Sequence, residues 1–150
     1  MKKKSNWSEK AVCSRAASSA ESRKTLSMLD DVVKDNLHVV LESIALIQDR
    51  FSKIERADDF ILNADGVLIL DAISMRLQII GELLKTIDKI DNSLFEKYPE
   101  IPWEKIIRLR DLISHHYNIV DHEIIFDICK NHIPKLNATV RKIIENEETS

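Results

Sequence analysis

The residues best suited to chemistry lie in one short stretch that runs from Arg110 to Tyr117. Asp111 follows the arginine directly, and two imidazole side chains occupy adjacent positions at His115 and His116. A guanidinium can hold a phosphate through two parallel hydrogen bonds, and an imidazole can exchange protons near neutral pH. An arginine and a histidine so close in sequence are a minimal set for cleaving an RNA phosphodiester, and no metal is needed where the ribose 2′-hydroxyl is the nucleophile.

The same residues also have ordinary structural interpretations. Arg110 could form an ion pair with an acidic residue of a neighbouring helix, and Tyr117 could be an aromatic residue at the edge of the core. On one straight helix, His115 lies about 140° around the axis from Arg110. The two side chains converge only if the helix ends near His115, as Asn118 indicates, or if a second subunit supplies part of the site.

Other classes of site are poorly represented. Gly66 and Gly81 are the two glycines of the chain, too few for a dinucleotide- or triphosphate-binding loop. Cys13 and Cys129 form no Cys-x-x-Cys pair. The four histidines between positions 115 and 132 lack the spacing of metal-binding helices, so we expect neither a metal nor another cofactor.

Glycine and proline are scarce, which favours long helices over folds that depend on tight turns. The 150 residues include two glycines and three prolines, whereas an average composition would give about 18 of them together. Apolar residues recur at three- and four-residue steps over four stretches, namely 28–51, 67–90, 102–113 and 121–144. We predict an all-α fold, an up-and-down bundle of four to five helices.

Several residues are placed to begin or interrupt these helices. Asp65 and Asp121 can cap the starts of the second and fourth helices. Pro134 should kink the fourth helix or split it near His132. The polar stretch 91–101 is predicted to be a connection.

Gly81 stands inside the second helical stretch, which is an unusual place for glycine. There it costs about 1 kcal/mol relative to alanine, so we expect it to lie at a close helix crossing or a dimer contact. Pro102 suits the first turn of the third helix. Trp103 directly after it is expected to anchor the core rather than to stack on a base.

Charged residues are distributed unevenly along the chain. The first 24 residues carry seven basic and two acidic side chains, which leaves 15 basic against 23 acidic side chains in the remainder. We expect 1–27 to be a basic, flexible extension and 28–146 to be the helical domain. An acidic domain attracts RNA poorly, so Lys105, Arg108 and Arg110 would have to form a local positive patch.

The sequence shows no targeting or membrane segment. No stretch reaches the roughly 18 uninterrupted apolar residues of a membrane span, and the basic start is not followed by the apolar segment of a signal peptide. With no cysteine pairing pattern either, we expect a cytoplasmic protein without membrane contact.

Several short strings resemble one known family, the HepT-like branch of the HEPN superfamily. They are Ile80-Gly81-Glu82, Ile101-Pro102-Trp103, Arg110-Asp111, His115-His116-Tyr117 and Ile133-Pro134-Lys135-Leu136. The resemblance covers about 28–144 and implies an HEPN-like helical homodimer. It also implies a metal-independent endoribonuclease that acts as the toxin of a type VII toxin-antitoxin pair, with RNA and not DNA as substrate.

The resemblance further implies a role for each residue of the site. Arg110 would hold the scissile phosphate, oriented by Asp111, and His115 would transfer protons, with His116 as a supporting imidazole. The partner would be a minimal nucleotidyltransferase antitoxin that adenylylates Tyr117, placing bulk and negative charge beside Arg110. The rival hypothesis is a non-enzymatic helical dimer that binds or regulates a nucleotidyltransferase.

Overall fold

The computed structural model describes residues 19–115 and 120–149, and each regular element within these ranges is helical. The elements are α1 (Ser19–Phe51), a 3-10 turn (Ala57–Phe60), α2 (Ala64–Ile90), α3 (Asn92–Glu96), α4 (Trp103–His115), α5 (His122–Asp127), a π turn (Ile128–His132) and α6 (Ile133–Thr149). The prediction of an all-α fold is confirmed. No helix within the described ranges is both long and apolar enough to cross a membrane.

The chain divides into two compact units, one ending at Val33 and the other beginning at Lys34. In the described part of the first unit, the side chains of 21–32 are exposed. Helix α1 begins at Ser19, upstream of the apolar repeat that starts near Met28. The intervening residues include good helix formers, so the helix extends beyond its apolar stripe. They are Ala20, Glu21, Arg23, Lys24 and Leu26.

The core of the second unit is built from the apolar stripes that the sequence predicts. Its fully or nearly fully buried side chains include Leu37, Val40, Ile44 and Ile47 of α1, Ile73, Leu77, Ile80, Leu84 and Ile87 of α2, Ile125 of α5, and Leu136, Val140 and Ile143 of α6. Among the described elements, α2 and α4 form the most extensive helix-to-helix contact. This contact positions the candidate site.

The start of α2 differs from the prediction. Asn63 caps it, accepting a hydrogen bond of 2.8 Å from the backbone N–H of Gly66, so the prediction that Asp65 is the cap is wrong. The helix begins earlier than the apolar repeat suggests, which places Asp65 in the first turn, where a carboxylate still favours the positive end of the helix dipole. A Cβ at Gly66 would overlap the carbonyl oxygen of Asp59.

The stretch 91–101, predicted as a connection, contains the short helix α3. The Asp91 side chain caps it, accepting a hydrogen bond of 3.1 Å from the backbone N–H of Ser93. The helix buries Leu94 and Phe95. A helix of five residues is too short to show an apolar repeat in the sequence. Tertiary packing stabilises it rather than its own sequence pattern.

Trp103 anchors the start of α4, as predicted. Its ring stacks on Phe95 with centroids 4.1 Å apart, and its indole N–H donates a hydrogen bond of 2.9 Å to the carbonyl of Tyr98. Pro102 lies just before the helix, and its carbonyl accepts from the backbone N–H of Ile106. The missing N–H of the proline therefore costs α4 no hydrogen bond.

The final helical segment is capped and interrupted near the predicted positions. The Asp121 carboxylate accepts hydrogen bonds of 2.9 and 3.4 Å from the backbone N–H groups of Glu123 and Ile124. The interruption expected near His132 is the π turn, which ends just before Pro134 in the first turn of α6. A π turn lets the chain stay helical where proline can neither donate a hydrogen bond nor tolerate the usual carbonyl four residues earlier.

Candidate active site

Gly81 sets the distance between α2 and α4. A Cβ added there would lie 2.9 Å from the Cβ of Arg110 and 3.2 Å from the carbonyl oxygen of Ile106. Both separations are shorter than ordinary van der Waals contact, so a larger residue would push α4 away. The predicted close helix crossing at Gly81 is therefore confirmed, and the residue it meets is Arg110.

Arg110 is held by two carboxylates. Its Nε lies 2.8 Å from Oε2 of Glu82 on α2, and its Nη1 lies 3.2 Å from Oδ1 of Asp111. Of the two side chains in the first pair, that of Arg110 is 38% exposed and that of Glu82 is 53% exposed. The ion pair with a neighbouring helix, which the sequence offered as an alternative interpretation of Arg110, is thus present.

This ion pair leaves part of the guanidinium available. Among the described residues, no group is seen within hydrogen-bond distance of Nη2. Glu82 contacts Nε, and among the described residues Asp111 is the one group that forms an ion pair with the far end of the guanidinium; its own side chain is 54% exposed. An anion could approach this end and displace Asp111.

His115 lies on a different side of α4. It is exposed at the last position of the helix and lines a shallow groove of about 580 Å³. The other residues that line this groove are Lys105, Arg108, Leu109, Asp111 and Leu112. Lys105 and Arg108 face one carboxylate, Asp111, in this groove, whereas Arg110, the third cation of the predicted positive patch, is not among the lining residues.

The described residues of one chain do not bring Arg110 and His115 together. Helix α4 is continuous through both positions, which separates them by about 140° around the axis and about 7.5 Å along it. Arg110 faces α2, and His115 lines the groove. Asp111 is the residue common to both surroundings, because it contacts Nη1 of Arg110 and also lines the groove.

The other two predicted site residues, His116 and Tyr117, lie outside the described residues, as does Asn118. Helix α4 ends at His115 as far as it is described.

The remaining ionisable groups are arranged differently. In the ranges that the structure describes, no three His, Cys, Asp or Glu side chains are grouped so that they could hold a metal ion. The two other described histidines of this region pair with carboxylates, His122 with Asp58 and His132 with Asp127, each at 3.4 Å. Burial raises the pKa of the Cys129 thiol to about 12, which keeps it protonated and a poor nucleophile at neutral pH.

Comparison with known proteins identifies the family. The family model described as "Ribonuclease HepT-like" matches residues 40–143. The chain belongs to the HepT-like ribonuclease family. The matched range of this HepT-like chain contains every residue of the site predicted from the sequence, including the two that the structure does not describe.

Similarity to individual relatives agrees with this assignment. A protein of Methanocaldococcus jannaschii named "Gamma-glutamylcyclotransferase and putative RNase" is 35% identical over 113 residues, which cover 75% of this chain and 48% of the relative. A "Putative RNase" of the same organism is 32% identical over 116 residues, covering 77% of this chain and 90% of the relative. A "Probable ribonuclease HepT" of Thermococcus cleftensis is 33% identical over 110 residues, which cover 73% of this chain and 94% of the relative. No solved structure matches the chain significantly.

These relatives differ in how much of their length the HepT-like chain covers. It spans about half of the first and nine-tenths or more of the other two. The names of all three relatives describe a ribonuclease.

The contact of Glu82 with Arg110 was not predicted from the sequence. The sequence marked Ile80-Gly81-Glu82 only as part of a resemblance, with no role for its acidic residue. The available signal was a glycine at a helix crossing followed by a carboxylate, because a residue next to such a crossing lies near the partner helix. Which side chain of α4 that carboxylate meets depends on the register of the two helices.

Proposed function

We propose that this HepT-like protein is a cytoplasmic, metal-independent endoribonuclease. The single observation that carries the proposal is the state of Arg110, whose Nε forms an ion pair with Glu82 of α2 while 38% of its side chain is exposed. Such a group can bind a phosphodiester through two hydrogen bonds and stabilise the charge that develops on its oxygens during cleavage. Family membership supports RNA as the substrate.

His115 supplies the proton transfer in this proposal. It removes the proton of the ribose 2′-hydroxyl, whose oxygen attacks the phosphorus, or it donates a proton to the departing 5′-oxygen. The products are a 2′,3′-cyclic phosphate and a 5′-hydroxyl. His116 acts as a second imidazole next to His115 in the sequence, and Asp111 helps to orient Arg110 before RNA binds.

The separation of Arg110 from His115 supports a homodimer. Because the two side chains lie on different sides of α4, one chain presents the phosphate-binding group and the proton-transfer group in different directions. A second copy could place its own His115 opposite the first Arg110, so that each active site is shared between subunits.

Regulation in this proposal acts on Tyr117. A nucleotidyltransferase antitoxin adenylylates its hydroxyl, forming a phosphodiester to AMP and releasing pyrophosphate from ATP. The added negative charge, close in sequence to the phosphate-binding arginine, inhibits RNA binding by repulsion and bulk. Incubation with the antitoxin, ATP and magnesium should therefore add one adenylyl group per chain, which is the mass of AMP less one water, and Tyr117→Phe should abolish the addition.

The direct test combines growth and cleavage. Expression of the wild-type chain should inhibit growth, and the purified protein should cleave RNA in the presence of EDTA. Arg110→Ala and His115→Ala should each lose both effects. The assignment fails if either variant inhibits growth as strongly as the parent.

One observation favours the non-enzymatic alternative. The ion pair between Arg110 and Glu82 gives this arginine a structural use that requires no substrate. A helical dimer that only binds a nucleotidyltransferase would keep its partner but show no cleavage, and incubation with that partner and ATP would leave Tyr117 unmodified.

A further inference from the structure

Two adjacent residues of α2 hold the two ends of the Arg110 side chain. At Gly81, the missing side chain leaves room for the Cβ of Arg110, at the root of the side chain. At Glu82, the carboxylate contacts Nε, at the start of the guanidinium, over 2.8 Å. The flexible methylene chain between Cβ and Nε of Arg110 is therefore constrained at both ends by the same helix.

We propose that Glu82 is a positioning residue for RNA cleavage, which acts by fixing Arg110 through Nε so that the far end of the guanidinium faces the scissile phosphate. This inference rests on the proposed function. It assigns a role in the reaction to a residue on a second helix that makes no contact with the reacting atoms.

The geometry separates Glu82 from Asp111, the other carboxylate at Arg110. Asp111 is the next residue on the same helix and contacts Nη1 at the longer distance of 3.2 Å. It lies at the end of the guanidinium that a phosphate would occupy, so it must give way when RNA binds. Glu82 contacts Nε from another helix, so it can remain in place while the phosphate binds.

The exposure of the pair argues against a purely structural role. With 38% and 53% of the two side chains exposed, water screens the attraction, and such ion pairs contribute little to folding stability. A carboxylate beside a phosphate-binding arginine also weakens the attraction of that arginine for an anion. Orientation of the guanidinium is a benefit that can outweigh this loss.

Enzyme kinetics should separate orientation from charge. In Glu82→Ala, Arg110 keeps its charge but loses its anchor, so we expect kcat to fall about tenfold or more, while KM for RNA stays the same or decreases. Glu82→Gln keeps an oxygen that can accept from Nε, and we expect it to recover most of kcat. Glu42→Gln, the same change at an exposed position of α1, should match the wild type.

A second readout does not depend on activity. In ¹H–¹⁵N spectra of the full chain, the Nε–H of Arg110, assigned by its loss in Arg110→Lys, should exchange slowly with water in the wild type. It should exchange much faster in Glu82→Ala, with an unchanged circular dichroism spectrum as evidence of folding.

The outcomes distinguish this inference from the function on which it rests. Cleavage at wild-type kcat by Glu82→Ala overturns the positioning role and leaves the ribonuclease intact. A parallel loss of kcat in Glu82→Ala and Glu82→Gln also overturns it, because charge rather than orientation would then matter. If the wild-type chain cleaves no RNA, the ribonuclease and any role of Glu82 in its reaction both fail, and the spectra then decide only whether Glu82 fixes the guanidinium.

Discussion

The two sides of α4 differ in how strongly the surrounding residues constrain the proposed catalytic side chain. On the side that faces α2, Arg110 is constrained by a close helix crossing and by an ion pair to another helix. On the side of the groove, His115 is an exposed residue at the helix end, and its imidazole forms no hydrogen bond or ion pair with any described residue. The phosphate-binding half of the proposed site is thus organised within one chain, and the proton-transfer half needs a further contact to be fixed.

The largest expected effect comes from mixing two inactive variants. Arg110→Ala and His115→Ala should each lose about 10²- to 10⁴-fold in cleavage rate, the usual contribution of such groups. If active sites are shared, a heterodimer of the two variants contains one complete site and should recover up to about half of the wild-type rate. Recovery is measured after co-expression with two affinity tags and purification through both.

The control for this complementation is a dimer in which both chains carry His115→Ala, one with each affinity tag, purified through the same two tags. Failure of the mixed heterodimer to recover, with the dimer confirmed by light scattering, would show that each site lies within one chain. The residues after His115 would then have to bring the imidazole back towards Arg110.

A substitution at the helix crossing should displace Arg110, on the face of α4 that packs against α2, more than His115. Gly81→Leu forces α4 away from α2, and overpacking of this kind costs about 1–3 kcal/mol in the free energy of unfolding. We expect a lower denaturation midpoint and a loss of cleavage that exceeds the fraction unfolded, because Arg110 moves with α4. Leu83→Ile, on the same helix but with nearly equal volume, is the control. Full stability and activity in Gly81→Leu would contradict the close crossing.

Changes in the groove should act on binding rather than on the chemical step. Arg108→Ala and Lys105→Ala each remove one positive charge beside His115. If each cation contacts one phosphate, either change should lower RNA affinity at low salt and reduce the slope of log K against log salt by about 1. Lys89→Ala, an exposed lysine of α2, should leave the slope unchanged. Equal slopes in all three variants would place RNA elsewhere.

These contrasts also show what the sequence could and could not predict. The apolar repeats predicted α2 and α4, because burying one face of a helix imposes a period on its apolar residues. Gly81 predicted a close helix crossing, because glycine is unfavourable in a helix interior unless a close contact requires it. Asn63 and Asp65 are both good capping residues, so the repeat alone could not choose between them. The contact between Glu82 and Arg110 depends on the crossing angle and register of two helices, which no local pattern encodes. His116 and Tyr117 stay predictions.

The smallest expected effect concerns Asp111, which contacts Arg110 and also lines the groove of His115. Asp111→Asn keeps an oxygen that can accept from Nη1 but removes a negative charge from the place where phosphate would bind. We therefore expect kcat to change less than about threefold and KM for RNA to decrease at low salt, with the difference disappearing as salt screens the charge. Steady-state kinetics at two salt concentrations measure both effects. A tenfold loss of kcat in Asp111→Asn would instead make Asp111 the main anchor of the guanidinium. The orientation of Arg110 would then depend on a residue of its own helix rather than on α2.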